Sequence, residues 1–226
     1  MNITIIYGQK HKGNTWRLAQ LFLDQFEEKQ ITEFYLPESA PAYCSGCLNC
    51  IYKGETLCPH AKAVQPIVNA LDEADLIVMA SPCYVMNMTG QMKTLLDHLA
   101  YRYLSHRPEP SMFGKQGLVL STATGLGARK TAKTIAGNLF FWGVAKIYRF
   151  GMPIGAADFD HIPKKRMQKI TRKANGIARR IRKKDGRARP GLKTRLMFSI
   201  MKLGQKNNDW NPRDREHWVR QGWLKA

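Results

Sequence analysis

Four of the five cysteines fall within one fifteen-residue stretch. Cys44, Cys47, Cys50 and Cys58 read C-x2-C-x2-C-x7-C, and Pro59 follows the last. Thiolates at this density bind soft metals or take part in redox exchange. The run C-x2-C-x2-C with a closing C-P is close to the ferredoxin pattern that holds an iron–sulfur cluster. C-x2-C pairs also suit a structural zinc, and free thiols in an ordinary loop are the third reading. No basic leader with an apolar run opens the sequence, and no apolar stretch nears the roughly 20 residues of a membrane span. A cytoplasmic, reducing setting is therefore expected, and disulfides are disfavoured there.

Three further segments have ligand-binding composition. "YGQKHKGNT" (7–15) joins a glycine-relaxed turn to Asn14 and Thr15 at a helix start. Free N–H groups, the helix dipole and a hydroxyl suit a phosphate, with Lys10, His11 and Lys12 adding positive field. It matches neither G-x-G-x-x-G nor a Walker motif, so a dinucleotide or nucleoside triphosphate is not indicated. "SPCYVMNMTGQMK" (81–93) offers rigid Pro82, the aromatic face of Tyr84 and the amide of Asn87, which suit the edge of a flat heterocycle. Cys83 stands apart from the cysteine cluster and belongs to this loop. "STATGLGARK" (121–130) lets backbone approach a ligand closely. Each segment alone is also an ordinary turn; three together argue for a site.

These segments need a frame that brings them to one edge. "NITIIYG", "ITEFYL", "DLIVMASP", "KQGLVLSTATG" and "VAKIYRFGMPI" read as five short buried strands. Amphipathic helices fall between them, at 13–29, 63–74, 89–104 and 128–143. Strands alternating with helices predict an α/β fold, a parallel sheet covered on both faces. Five strands suit the flavodoxin-like, doubly wound order 2-1-3-4-5, in which ligands bind at the carboxyl ends of the strands.

"GQKHKGNT", the C-x2-C-x2-C run, "ADLIVMASPCYVMNMTGQMKTLLDH" and "STATGLGA" together resemble the NAD(P)H-dependent FMN reductases and iron–sulfur flavoproteins of the flavodoxin-like superfamily. The resemblance covers about residues 1–150. It implies an FMN phosphate on the first loop, near Gln9, Lys10, Lys12, Asn14 and Thr15. It implies the flavin ring beside Pro82, Cys83, Tyr84, Val85 and Asn87, with Thr122, Thr124 and Gly125 adding contacts. It further implies NADH or NADPH as hydride donor, a small-molecule or redox-protein acceptor, and a 4Fe-4S cluster on Cys44, Cys47, Cys50 and Cys58. No side chain is expected to be catalytic, because the flavin carries the reaction. The rival reading is a non-enzymatic flavodoxin-type electron carrier.

The charge is uneven. Residues 1–100 hold 7 basic and 10 acidic residues, whereas 101–226 hold 29 and 7. The expected division is therefore an FMN-binding domain at 1–155 and a basic helical extension at 156–226. Residues 160–206 carry 17 Lys and Arg against Asp160 and Asp185. Nucleic acid or an anionic membrane surface could use such a stretch. An Ile/Met seam from Ile162 to Ile181 favours packing on the domain instead. Trp210, Trp218 and Trp223 are expected to anchor the tail on its own domain or on a partner subunit, which makes a homodimer or higher homo-oligomer the expected assembly.

Overall fold

A computed structural model describes residues 1–156 and 158–225. Five parallel strands, β1 (Asn2–Tyr7), β2 (Gln30–Tyr35), β3 (Leu76–Ala80), β4 (Gln116–Ala123) and β5 (Lys146–Pro153), form one sheet in the order β2-β1-β3-β4-β5. This is the flavodoxin-like order expected from the element count. β3 is buried along its whole length and reads Leu-Ile-Val-Met-Ala, as a strand covered on both faces must.

The helices are α1 (Asn14–Leu23), α2 (Asn49–Tyr52), α3 (Ala61–Glu73), α4 (Gly90–His98), α5 (Ala128–Phe141), α6 (Lys164–Lys183), α7 (Leu192–Lys206) and α8 (Pro212–Arg220). One face of the sheet buries Ile6, Met79 and Val119 against α3, α4 and α5. The other buries Ile5, Val78, Leu118 and Leu120 against α1 and α6. Of the seam expected from the sequence, Ile162, Ile170, Ala174 and Ile181 are buried and Met167 and Ile177 partly so, with Ala178 joining them.

Two helices are shorter than their patterns suggest. α1 stops at Leu23, whose carbonyl accepts from the Phe26 N–H at 3.1 Å and from Lys29 Nζ at 2.6 Å, and Phe26 packs in the core from this turn. The helix expected to reach Leu104 ends at His98. A short 3-10 turn at Ala100–Arg102 then aims the buried Arg102 guanidinium at Asp72 on α3, and Tyr103 stacks on Phe141 with centroids 5.3 Å apart. Tertiary pairing outweighs helix continuation here.

α7 and α8 are held by an aromatic cluster. Phe198 stacks on Trp218 at 5.0 Å, and Phe113 and Trp223 pack edge-on against them. Trp218 is fully buried, and its Nε1 donates to the His106 carbonyl at 2.6 Å. Trp210 stays largely exposed.

His217 on α8 gives the tail a pH dependence. Burial pushes its imidazole below the ordinary value, against the opposing pull of a hydrogen bond from Nε2 to the Pro108 carbonyl at 3.0 Å. The unfolded chain therefore takes up a proton, near pH 6.5 and below, that the folded chain refuses. This contribution is present in full above about pH 6.5 and is lost as the pH falls toward the folded-state value. The urea midpoint should drop between pH 7.5 and 5.5, and by less in His217→Gln. Equal drops in both proteins would assign the effect to other groups.

Candidate active site

The carboxyl ends of β1, β3 and β4 open into a cleft of about 320 Å³ where the strand order reverses. Its walls include Tyr7, Gln9, His11, Gly13 to Trp16, Pro82 to Tyr84, Thr122 to Thr124 and Asp158.

The strand ends are tied by short-range chemistry. Thr89 caps α4 by accepting from the Met92 N–H, and its hydroxyl donates to the Gly8 carbonyl at 2.7 Å. The Thr89 N–H donates to Ser81 Oγ at 3.1 Å. A Cβ on Gly8 would stand 2.7 Å from Thr89 Oγ1, so only glycine leaves room for this knot.

On one side of the cleft, α1 begins at Asn14, and Gly13 before it supplies no side-chain cap. Its first N–H groups are thus available to an anion, with the helix dipole behind them. Thr15 Oγ1 and Thr122 Oγ1 lie 2.6 Å apart and join β4 to this helix start. On the other side, Tyr84 OH donates to Gln9 Oε1 at 3.0 Å and closes the rim. Tyr84 and Asn87 exchange backbone hydrogen bonds of 2.8 and 3.0 Å across a two-residue turn. That turn holds Val85 and Met86 at φ 48° and 64°. A β-branched residue in the left-handed region is costly and is kept only where surroundings enforce it.

Of the residues singled out from the sequence, Gln9, Asn14, Thr15, Pro82, Cys83, Tyr84, Thr122 and Thr124 meet in the cleft wall. Lys10, Lys12, Val85, Asn87 and Gly125 do not line it. Lys10 pairs with Glu38 at 2.5 Å, and Lys12 lies over the rings of Trp16 and Tyr35. The Val85 side chain is almost wholly exposed, and Asn87 Oδ1 accepts from the Met88 N–H. Tyr7, Trp16 and Asp158 join the wall without having been singled out. Burial, with Glu33 adding to it, drives the Tyr7 phenol far above its ordinary pKa, so it stays neutral. Asp158 arrives from beyond β5, and its hydrogen bond with His161 holds its carboxyl below the usual range.

The cysteine loop also leaves a carboxyl strand end, that of β2. Cys44 and Cys47 are exposed, Cys50 and Cys58 half-buried, and no disulfide links them among the described residues. Burial raises the Cys50 thiol, and the nearby Cys58, Cys44 and Cys47 push it further, with Arg107 opposing. Cys58 also lies beside His60 and His98, whose Nδ1 and Nε2 stand 2.9 Å apart. Among the described residues the ligand atoms that come together are those of Cys58, His60 and His98; Cys44, Cys47 and Cys50 are not gathered with them.

The model of a family described as NADPH-dependent FMN reductase matches residues 1–150. An iron-sulfur flavoprotein of Archaeoglobus fulgidus is 26% identical over 183 residues, 79% of this chain and 77% of that one. An azoreductase of Bacillus anthracis superposes with TM-score 0.60 at 16% identity, covering 80% of this chain and 99% of that one. An NAD(P)H:quinone oxidoreductase of Methanothermobacter marburgensis gives TM-score 0.61 at 13% identity, covering 78% and 96%. At these identities the two solved structures share the fold.

Proposed function

Since the chain belongs to the NADPH-dependent FMN reductase family and is an NAD(P)H-dependent FMN oxidoreductase, we propose that the cleft at the β1–β3 switch is its flavin site. The observation that carries this is the uncapped start of α1 beside the Thr15–Thr122 hydroxyl pair, facing the Pro82–Tyr84 rim across one cleft. FMN, when bound, accepts hydride from a reduced nicotinamide and passes reducing equivalents to an acceptor. The chain's part is to bind and orient. The N–H groups of Asn14 and Thr15 and the two threonine hydroxyls receive the phosphate. Pro82, Cys83 and Tyr84 border the ring, and the Tyr84–Gln9 hydrogen bond holds that border in place. Lys10 is engaged with Glu38, so phosphate binding rests on N–H groups and hydroxyls more than on ammonium charge.

Cys44, Cys47, Cys50 and Cys58 would hold a 4Fe-4S cluster, which supplies a one-electron centre. Their C-x2-C-x2-C-x7-C spacing and free state support this, as does the name of the Archaeoglobus relative. The acceptor of the flavin's electrons would then be this centre, or a small molecule or redox protein beyond it.

The test is anaerobic purification followed by FMN titration, iron and acid-labile sulfide analysis, and assay of NADH and NADPH oxidation with an excess acceptor. Thr15→Val should weaken FMN binding by about tenfold, the worth of a hydrogen bond to a charged group. Unchanged FMN affinity in that variant would remove the phosphate assignment. Tight FMN with no pyridine-nucleotide oxidation would mark an electron carrier. Flavin without iron, from cells competent in cluster assembly, would leave the cysteines without a cluster.

A further inference from the structure

The basic extension does not behave uniformly. α6 buries its apolar seam on the sheet, but α7 turns its own away. Leu192, Leu196, Ile200 and Leu203 recur at helical spacing and are 83%, 60%, 49% and 71% exposed. The opposite side, with Phe198, Met201, Thr194 and Gln205, faces the molecule: Phe198 stacks on Trp218, and Gln205 Nε2 donates to the Ser105 carbonyl at 2.7 Å. A surface helix normally buries its most apolar stripe. Here the aromatic cluster takes the other face, and no described residue covers the leucines.

The stripe is bordered by cations. At 100° per residue, Arg195, Lys202 and Lys206 fall along one side of it and Lys193 along the other. All four are exposed. Residues 187–206 hold six Lys and Arg and no Asp or Glu. Four large aliphatic side chains between rows of basic ones are the composition of a helix that lies in a bilayer interface.

We infer that α7 docks this face on an anionic lipid surface, with the leucine stripe in the headgroup–acyl boundary and the flanking cations on lipid phosphates. Charge decides between occupants. A second copy would bring another strongly basic half against this one, with no acidic residue in the stretch to pair with it. A nucleic acid would match the charge but leave the leucines in water. An anionic bilayer satisfies both, the cations within a Debye length of the surface and the aliphatic groups below it. No helix among the described residues is long and apolar enough to cross a membrane, so attachment would be peripheral.

The experiment is co-sedimentation of the full chain with vesicles of phosphatidylglycerol and phosphatidylcholine, against vesicles of phosphatidylcholine alone, at about 0.1 M salt where surface charge still acts. The protein should partition onto the anionic vesicles and hardly at all onto the neutral ones. Leu196→Ser with Leu203→Ser should cut the partition coefficient about tenfold or more, since each buried leucine contributes appreciably. Lys193→Gln, Arg195→Gln and Lys202→Gln together should make anionic vesicles behave like neutral ones. All these positions are exposed and away from the cleft, so folding and NAD(P)H oxidation in solution should be unchanged. Failure of the unaltered protein to sediment with anionic vesicles overturns the inference. Undiminished binding by the serine variant does so too, because it reduces the surface to a polyanion binder. A dimer seen by sedimentation velocity, dissociated by the serine substitutions without any vesicle binding, assigns the face to a second copy instead.

Discussion

Asp214→Ala is expected to lower the free energy of unfolding by about 3–5 kcal/mol, the cost of stranding a buried charge. Asp214 is fully buried on α8. One carboxylate oxygen accepts from Arg107 Nη1 at 2.5 Å, and the other meets His106 Nδ1 at 2.7 Å. Arg107 is itself buried, and Glu55, its other acidic neighbour, is 3.3 Å away and half-exposed. Removing Asp214 therefore leaves a guanidinium with no buried counter-charge. Replacing both partners by apolar residues, Arg107→Met with Asp214→Leu, should recover much of the loss, since the desolvation of both ions is then avoided. Urea unfolding of the two singles and the double gives the coupling directly. A single-variant loss below about 1 kcal/mol would show that the pair is solvated in the working protein.

The same ion pair reaches the cysteine loop. Arg107 donates to the carbonyls of Cys50 and Ile51, and Asn211 Nδ2 donates to the Ile51 carbonyl at 3.3 Å. The tail and the loop at Cys50 thus share one polar network, so we propose that the extension folds as one cooperative unit with the sheet. Asp214→Ala should then speed thiol modification at Cys50, the half-buried member of the quartet, more than at exposed Cys44. Equal acceleration at both would indicate general unfolding instead of a loosened loop.

What the sequence made legible was what its periodicities carry. Five apolar runs separated by amphipathic segments are enough to specify the alternation of strands and helices and the edge where ligands bind. Side-chain direction was not legible. Lys10 and Lys12 count as positive charge beside a phosphate loop, yet Glu38 draws one away and aromatic rings hold the other. Asp158 enters the cleft from a segment more than 130 residues after His11, and no local pattern announces such a contact. Val85 and Met86 carry no residue signature of a left-handed turn, because surroundings impose it. In α7 the period of the leucines was readable, but which face would pack depended on Trp218, fifteen or more residues beyond them in the chain.

Gly127→Ala should weaken FMN binding by tenfold or more and lower stability by about 1–3 kcal/mol, because backbone strain and a steric clash fall at one place. Gly127 precedes α5 at φ 97°, where an L side chain is rarely accommodated. An added Cβ would stand 2.5 Å from Cys83 Sγ and 3.4 Å from the Met86 backbone, so the rim loop must move. That loop already holds two residues in the left-handed region, and it has little freedom left to absorb the shift. Gly125→Ala, whose Cβ would meet nothing within 4 Å, should leave stability near that of the parent. The two contributions separate in the double variant Gly127→Ala, Cys83→Ala. Removing Sγ relieves the clash but not the dihedral strain, so flavin affinity should recover further than stability does. Equal recovery of both would mean that the clash alone governs the site. Flavin affinity unchanged in Gly127→Ala itself would show that the Cys83–Met86 loop does not border the ring.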